Sequence, residues 1–269
     1  MKDKRILYVS SELIPYLPET EVSKMAFEVP KEMHHQGAQI RMFMPRFGVI
    51  NERRHQLHEV IRLSGMNLII NDMDMPLIIK VASIPKERMQ VYFIDNEEYF
   101  KRKSVITDDK GKLFEDNDER AIFFAKGVVE TVKKLKWAPD IIHVHGWMAS
   151  LLPLYLREYY KNDPLFADSK IITSAFNYDN IDVINKKGFI EKIKFDSIPD
   201  DKLKSLENGT DNSLLKIAIE NSDAIVKGSE ELSDDITKYI ENLDVPVLDF
   251  HPQDDFSEAY INFYLNKVL

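Results

Sequence analysis

The stretch Ile6-Leu7-Tyr8-Val9-Ser10 decides the fold class. It is almost continuously apolar, which is typical of a strand buried on both faces of a parallel sheet. Behind it, apolar residues recur at the spacings of one helix face: Val22, Met25, Ala26, Val29 and Met33. We therefore predict a first strand and a first helix, with Gly37 ending the helix and a second strand at 39–44.

The same alternation continues along the chain. Further strands are predicted at 76–83, 89–94, 141–145, 170–175, 224–226 and 245–250. Helices are predicted to begin at Asp116-Asn117, which can cap a helix, and at Trp147. Such alternation predicts an α/β fold, a Rossmann-like parallel sheet of about six or seven strands with helices on both faces.

One domain is predicted to span residues 1–269, and it ends in an amphipathic, aromatic-rich helix at about 254–269. The segment 177–211 breaks the pattern with Lys, Asp, Asn and Pro residues. We expect this segment to be a long, partly ordered surface excursion.

Composition excludes several classes of function. Of the 269 residues, 44% are hydrophobic and 30% are charged, as in ordinary globular proteins. The net charge of -9 argues against non-specific binding to nucleic acid, which needs clustered cations. The lack of cysteine excludes a disulfide, a thiolate metal site and a cysteine nucleophile. Neither a signal peptide nor an apolar run of about 18 residues is present, so we expect a cytoplasmic protein that does not span a membrane.

Several short blocks follow one another in a fixed order. They are YVSSELIPY at 8–16, GAQIRMFMPRF at 37–47, VYFIDNEEYF at 91–100, DNDER at 116–120 and WAPDIIHVHGW at 137–147, with a weaker block at 218–229. The ordered series resembles bacterial glycogen synthases and plant starch synthases over most of residues 6–232. The resemblance implies the acceptor-side half of a two-domain GT-B glycosyltransferase, an enzyme that transfers glucose from ADP-glucose to an α-1,4-glucan.

The chain departs from this family at positions that serve the sugar nucleotide. Where the family has Lys-Thr-Gly-Gly-Leu after the first strand, this chain has Pro18-Glu19-Thr20-Glu21-Val22. The family motif His-x-His-Asp-Trp has Gly146 in place of its aspartate, and the active-site histidine is replaced near Ala175. Carboxylates at a phosphate-facing loop repel phosphate, so ADP-glucose is not expected to bind the isolated chain.

The remaining candidates for sugar binding are Glu12, Asp116, Asn117, Arg120, His143, His145, Trp147 and Asn177. Each also has a structural interpretation. The two histidines share a face of one strand, but no third ligand stands at motif spacing, so no metal site is predicted. Trp147 could stack on a sugar ring, or it could be a core residue at the start of a helix. Asp116, Asn117 and Arg120 suit a helix N-cap with a surface ion pair equally well.

These observations lead to one functional hypothesis and two alternatives. We expect no second Rossmann-like domain in this sequence, and therefore a synthase-like domain that cannot transfer glucose alone. It would bind α-glucan or maltooligosaccharide, or regulate glycogen metabolism, without a cofactor. The first alternative is an active half that a separate donor-binding chain completes. The second is a purely structural interaction protein.

Overall fold

The computed structural model describes residues 1–177, 188–207, 212–252 and 255–269. Ten strands of these residues form the central sheet. They are β1 (Arg5–Ser10), β2 (Gln39–Pro45), β3 (His58–Glu59), β4 (Met66–Ile70), β5 (Met73–Ser83), β6 (Gln90–Asp95), β7 (Ile141–His145), β8 (Lys170–Ala175), β9 (Ala224–Lys227) and β10 (Val247–Leu248).

The sheet runs in the order β10-β9-β8-β7-β1-β2-β6-β5-β3, and β4 pairs with β5. All neighbours from β10 to β6 are parallel. The predicted parallel α/β fold is thus confirmed, whereas β3, β4 and β5 add an antiparallel edge that the prediction lacked. The antiparallel edge exists because a short turn joins β5 directly to β6, with no crossover helix between them.

Helices cover both faces of the sheet. They are α1 (Glu21–His35), α2 (Glu52–His55), α3 (Glu97–Phe100), α4 (Asn117–Leu135), α5 (Leu152–Arg157), α6 (Phe189–Lys194), α7 (Lys204–Glu207), α8 (Ser213–Glu220), α9 (Asp234–Glu241) and α10 (Phe256–Phe263). Helix α1 packs with α10, while α4, α5, α8 and α9 form a second, contiguous layer. No helix of the described residues is both long and apolar enough to cross a membrane.

Three expectations need correction. Trp147 opens a short 3₁₀ turn, Trp147–Ala149, and the α-helix begins only at Leu152 because Pro153 suits a first helical turn. Asp116 precedes α4 but makes no side-chain capping bond, since its carboxylate pairs with Arg102. The last strand is only Val247–Leu248.

The segment 177–211 contains regular structure that its polar composition does not predict. Its described part contains α6, a 3₁₀ turn at Asp200–Lys202 and α7, and their apolar side chains are buried, among them Phe189, Ile193, Leu203 and Leu206. The burial of these side chains stabilises helices that the polar composition conceals. Residues 178–187 and 208–211 lie outside the described residues, so the expectation is not assessed there.

The C-terminal segment lies on the same face of the sheet as α1. Helix α10 is followed by a π-helical turn at Tyr264–Val268, while residue 254 of the predicted helix lies outside the described residues. Phe256, Tyr260, Phe263 and Tyr264 are buried. The tyrosine rings reach the middle of the sheet, next to Tyr8 of β1 and His143 of β7.

Candidate functional site

The strand order reverses between β1 and β7. From β1 the chain builds the sheet towards β2 and β6, and then returns to add β7 on the other side of β1. Open α/β sheets bind ligands beyond the carboxyl ends of the strands at such a switch point. Here the chain links the two strand ends: Ser11 donates its backbone N–H to the carbonyl of His145 at 2.9 Å, and its Oγ accepts from the N–H of Met148 at 2.7 Å.

His143 lies on β7 and has a structural environment. Its Nδ1 is 2.6 Å from the hydroxyl of Tyr264, and its Nε2 is 2.8 Å from the hydroxyl of Ser174. The side chain is fully buried. Burial, with the neighbouring His145 as a smaller cause, holds the pKa of His143 well below its usual range. His143 is therefore a neutral group whose two ring nitrogens both have protein partners.

His145 differs from His143, although their ring centroids are only 4.2 Å apart. The side chain is 1% exposed, and neither ring nitrogen has a hydrogen-bond partner in the described part of the chain. Burial lowers the pKa of His145 to about 3, so the ring is neutral and can both donate and accept. The indole N–H of Trp147, 2% exposed, likewise has no partner among the described residues. Buried polar atoms rarely stay unpaired, so His145 and Trp147 are the residues of the switch point that are available to hydrogen-bond a ligand.

The loop between β1 and α1 is closed by its own side chains. Thr20 caps α1, accepting from the backbone N–H of Ser23 at 3.0 Å, while Ser23 accepts from the N–H of Thr20 at 2.8 Å. The hydroxyl of Thr20 donates to the carboxylate of Glu12 at 2.6 Å. The carbonyl of Pro18 accepts from Ser23 at 3.0 Å. A helix N-terminus could hold a phosphate, but here the reciprocal cap already uses the backbone N–H groups of Thr20 and Ser23.

Negative charge surrounds the same helix end. Glu21 is the first residue of α1, and its carboxylate accepts a hydrogen bond from Ser229 at 2.7 Å. Glu19 lies 3.5 Å from Lys24 and is largely exposed. With Glu12 nearby, these carboxylates interact favourably with the helix dipole and oppose any incoming anion.

Asp116, Asn117 and Arg120 lie together at the start of α4 and hold the preceding loop. Arg120 is fully buried and donates to the carbonyl of Val105 at 2.8 Å and to Asn117 at 2.6 Å. Asn117, also fully buried, donates to the carbonyl of Ile106 at 3.0 Å. Burial lowers the pKa of Arg120 to about 10. Asp116 makes no side-chain capping bond but forms an ion pair with Arg102, while the side chain of Arg120 forms no ion pair among the described residues.

Ala175 is the last residue of β8 and Asn177 lies just after it, and both make structural contacts. Asn177 donates its amide to the carbonyl of Glu231 and accepts from the N–H of Ser233 at 3.0 Å, which fixes the loop after β9. Ala175, near which the resemblance implies a histidine in the family, is fully buried in an apolar cluster with Leu215, Ile219, Ile225, Ile236 and Ile240. Within the described residues no group of three or more His, Asp or Glu side chains could hold a metal ion.

Comparison with known proteins decides the family. Residues 5–245 match the model of the starch synthase catalytic domain. The chain belongs to this family. It is 34% identical over 234 residues to a glycogen synthase of Chlorobium limicola, covering 86% of this chain and 47% of the relative. It is 33% identical over 247 residues to a glycogen synthase of Chlorobaculum tepidum, covering 91% and 49%.

The chain thus spans about half the length of the glycogen synthases it matches. Among solved structures, its fold matches the catalytic domain of starch synthase IV from Arabidopsis thaliana bound to ADP and acarbose. The TM-score is 0.73 at 13% identity, over 95% of this chain and 53% of that one. The resemblance predicted from the ordered blocks is confirmed, and the structural match supports the fold.

Sequence reasoning missed several polar residues at the switch point of this starch synthase domain. Ser11 links β1 to the turn after β7, Ser174 and Tyr264 hold His143, and Ser229 holds Glu21. A signal existed for Ser11, because it directly follows the first strand at the edge where such sheets bind ligands. For Tyr264 and Ser229 no local signal existed, because they are distant in the chain from the residues they contact.

Proposed function

We propose that this starch synthase domain binds α-glucan at the switch point and does not transfer glucose by itself. The observation that carries the proposal is the pair of buried polar groups, His145 and Trp147, whose nitrogens have no partner among the described residues. Sugar hydroxyls both donate and accept, so they suit a neutral imidazole and an indole N–H. The catalytic domain of the plant starch synthase IV, which is bound to ADP and acarbose, shares this fold and supports a saccharide as the ligand.

The loop before α1 supports the second half of the proposal. The family's lysine and glycines would leave bare backbone N–H groups for a phosphate. Here the side chains of Ser23 and Thr20 use the backbone N–H groups of Thr20 and Ser23, and Glu12, Glu19 and Glu21 supply negative charge. A cytoplasmic location in glycogen metabolism belongs to the same proposal and rests on the family alone.

Tryptophan fluorescence can test glucan binding directly, because the chain has only two tryptophans. In the Trp137→Phe variant, Trp147 is the sole reporter. Trp147 is almost completely buried, so binding must rearrange its surroundings. We expect maltooligosaccharide to change the emission of this variant and to give a saturable heat in calorimetry.

Trp147→Phe is the matched variant, since it keeps an aromatic ring but removes the N–H. Its remaining tryptophan, Trp137, lies against Arg41 and should report no change. Loss of one hydrogen bond of about 0.5–1.5 kcal/mol should weaken glucan binding about 2- to 10-fold. The proposal fails if the unmodified protein shows neither heat nor emission change with millimolar maltooligosaccharide.

A further inference from the structure

A positively charged cavity lies between the loop after β1, helix α2 and the turn that joins β5 to β6. Its volume is about 420 Å³, within the range of small-molecule sites, about 300–1,000 Å³. The residues that matter to its chemistry are Tyr16, Arg54, His55, Gln56, Lys86 and Arg88. None of the described residues that line it is acidic.

The cations of this cavity have no counter-ion in the part of the chain that the structure describes. Arg54, Lys86 and Arg88 are exposed, and within residues 1–177, 188–207, 212–252 and 255–269 their side chains form no ion pair or hydrogen bond. Nearby carboxylates are engaged elsewhere: Glu87 lies 2.9 Å from His35, and Glu52 lies 2.7 Å from Lys80. A chain of net charge -9 therefore keeps an uncompensated positive site here.

Neutral groups accompany the cations. The Tyr16 hydroxyl is buried and has no hydrogen-bond partner in the described part of the chain. The ring of Tyr16 packs edge-on against His55, with centroids 4.9 Å apart. Burial and the charge of Arg54 lower the pKa of His55, which leaves a neutral imidazole beside the cations.

The backbone holds three residues that line the cavity in a defined arrangement. Gln56, Lys86 and Arg88 have φ values of 55°, 71° and 57°. Residues other than glycine rarely adopt this left-handed region, and where they do the surrounding structure must compensate for the cost. The turn is closed by hydrogen bonds between Ile84 and Met89 at 2.9 Å, and from Arg88 to Ile84 at 3.2 Å.

We propose that this cavity binds a small phosphate ester that carries hydroxyl groups, of the size of a hexose monophosphate. Arg54, Lys86 and Arg88 bind the phosphate, because guanidinium and ammonium groups are the usual phosphate donors. The hydroxyl of Tyr16 and the amide of Gln56 bind the hydroxyl groups of the ester. None of these residues belongs to the candidate glucan site, so the two proposals can fail independently.

The test is calorimetry on the full chain at low salt, with hexose monophosphates, the free hexoses and inorganic phosphate as ligands. We expect a hexose monophosphate to bind more tightly than inorganic phosphate and the free hexose not to bind. Arg54→Gln and Arg88→Gln should each weaken binding about tenfold. Arg53→Gln is the matched control, because Arg53 is an exposed neighbour that does not line the cavity, and it should change affinity less than about twofold.

Two further measurements keep the proposal falsifiable. Tyr16→Phe removes only the hydroxyl and should weaken the ester without weakening inorganic phosphate. NMR titration of the His55 ring should show its pKa rise when ester binds, because a nearby anion favours the imidazolium. Absence of binding at 10 mM, or equal weakening by Arg53→Gln and Arg54→Gln, would overturn the proposal. Inorganic phosphate binding as tightly as the ester would overturn the assignment of an ester.

Discussion

At residue 146 the backbone adopts φ 86° and ψ 163°, a region that is almost restricted to glycine. The resemblance to the family implies an aspartate at this point, in the motif His-x-His-Asp-Trp. Glycine adopts this conformation of the turn after β7 without steric cost. It lets the carbonyl of residue 146 accept from the N–H of Ala149 at 3.2 Å and from the hydroxyl of Ser150 at 3.1 Å.

Restoring the family residue should consequently destabilise this chain. We expect Gly146→Asp to lower the free energy of unfolding by about 1–3 kcal/mol, the usual cost of a side chain in that region. Urea unfolding followed by circular dichroism measures the difference. A variant as stable as the unmodified protein would show that the turn can adopt another conformation at little cost.

Buried histidine should make stability depend on pH. The pKa of His145 is about 3 in the folded chain and 6.5 in the reference state, so below pH 6.5 the unfolded chain binds a proton that the folded chain excludes. The contribution of His145 to the free energy of unfolding is therefore fully present above about pH 6.5. It is lost as the pH falls towards 3, by about 1.4 kcal/mol per pH unit. Urea unfolding between pH 7.5 and 5 should show a shallower decline in His145→Gln. Parallel pH profiles of the two proteins would contradict the assignment of this pH dependence to His145.

At the scale of elements, the β1–α1 loop fills its own anion position with the Thr20–Ser23 cap and the carboxylates of Glu12 and Glu21. We expect neither ADP nor ADP-glucose to bind at about 1 mM. A Kd of that size corresponds to a binding free energy of only about -4 kcal/mol. Calorimetry on the unmodified chain tests this expectation, and micromolar binding would refute it.

Two variants separate the causes of this loss. Pro18→Lys with Glu19→Thr, Thr20→Gly and Glu21→Gly rebuilds the family loop. Glu21→Gln removes one charge while keeping an acceptor for Ser229. If the rebuilt loop binds ADP and the original does not, these four side chains explain the loss. If neither binds, the donor-binding half of the family is the larger requirement.

The C-terminal segment is the second element with a testable role. We propose that it is an integral part of one domain spanning the chain, because the Tyr264 hydroxyl lies 2.6 Å from His143 and 3.2 Å from Tyr8. Tyr264→Phe leaves a buried imidazole nitrogen unpaired and should cost about 1–3 kcal/mol, or several degrees of melting temperature. Leu265→Ala is the control, since Leu265 is 39% exposed. Deleting residues 255–269 should destabilise the protein further; an equally stable, monomeric truncation would refute this role.

At the scale of the whole molecule, the chain matches about half of each glycogen synthase relative. A GT-B active site forms between two domains, and correct orientation of donor and acceptor contributes about 7–11 kcal/mol in favourable cases. We therefore expect the purified chain to show no glucose transfer from ADP-glucose to glycogen. Radiolabel incorporation in protein free of host synthase measures this, and turnover above the blank would contradict it. Activity that appears only with a co-purifying chain would favour the completed-half alternative.

Much of the fold could be read from local patterns. The apolar run of β1, the helical stripe of α1 and the strand that ends at His145 all form where predicted, because each buries residues with a clear period. Helices α6 and α7 could not be predicted in this way, since their few apolar side chains become informative only when they pack. The antiparallel edge was missed for a related reason: a strand's sequence does not specify the direction of its neighbour.

The sequence alone determined the family and the parallel sheet, because these depend on residue type and order along the chain. Only the tertiary structure distinguished the two histidines. His143 and His145 have equivalent positions in the motif, yet Ser174 and Tyr264 pair with one and leave the other free of protein partners among the described residues. The same holds for the cationic cavity, which joins a loop, a helix and a turn far apart in the sequence. Hydrogen bonding and charge compensation depend on distances in space, and those are set only when the whole chain has folded.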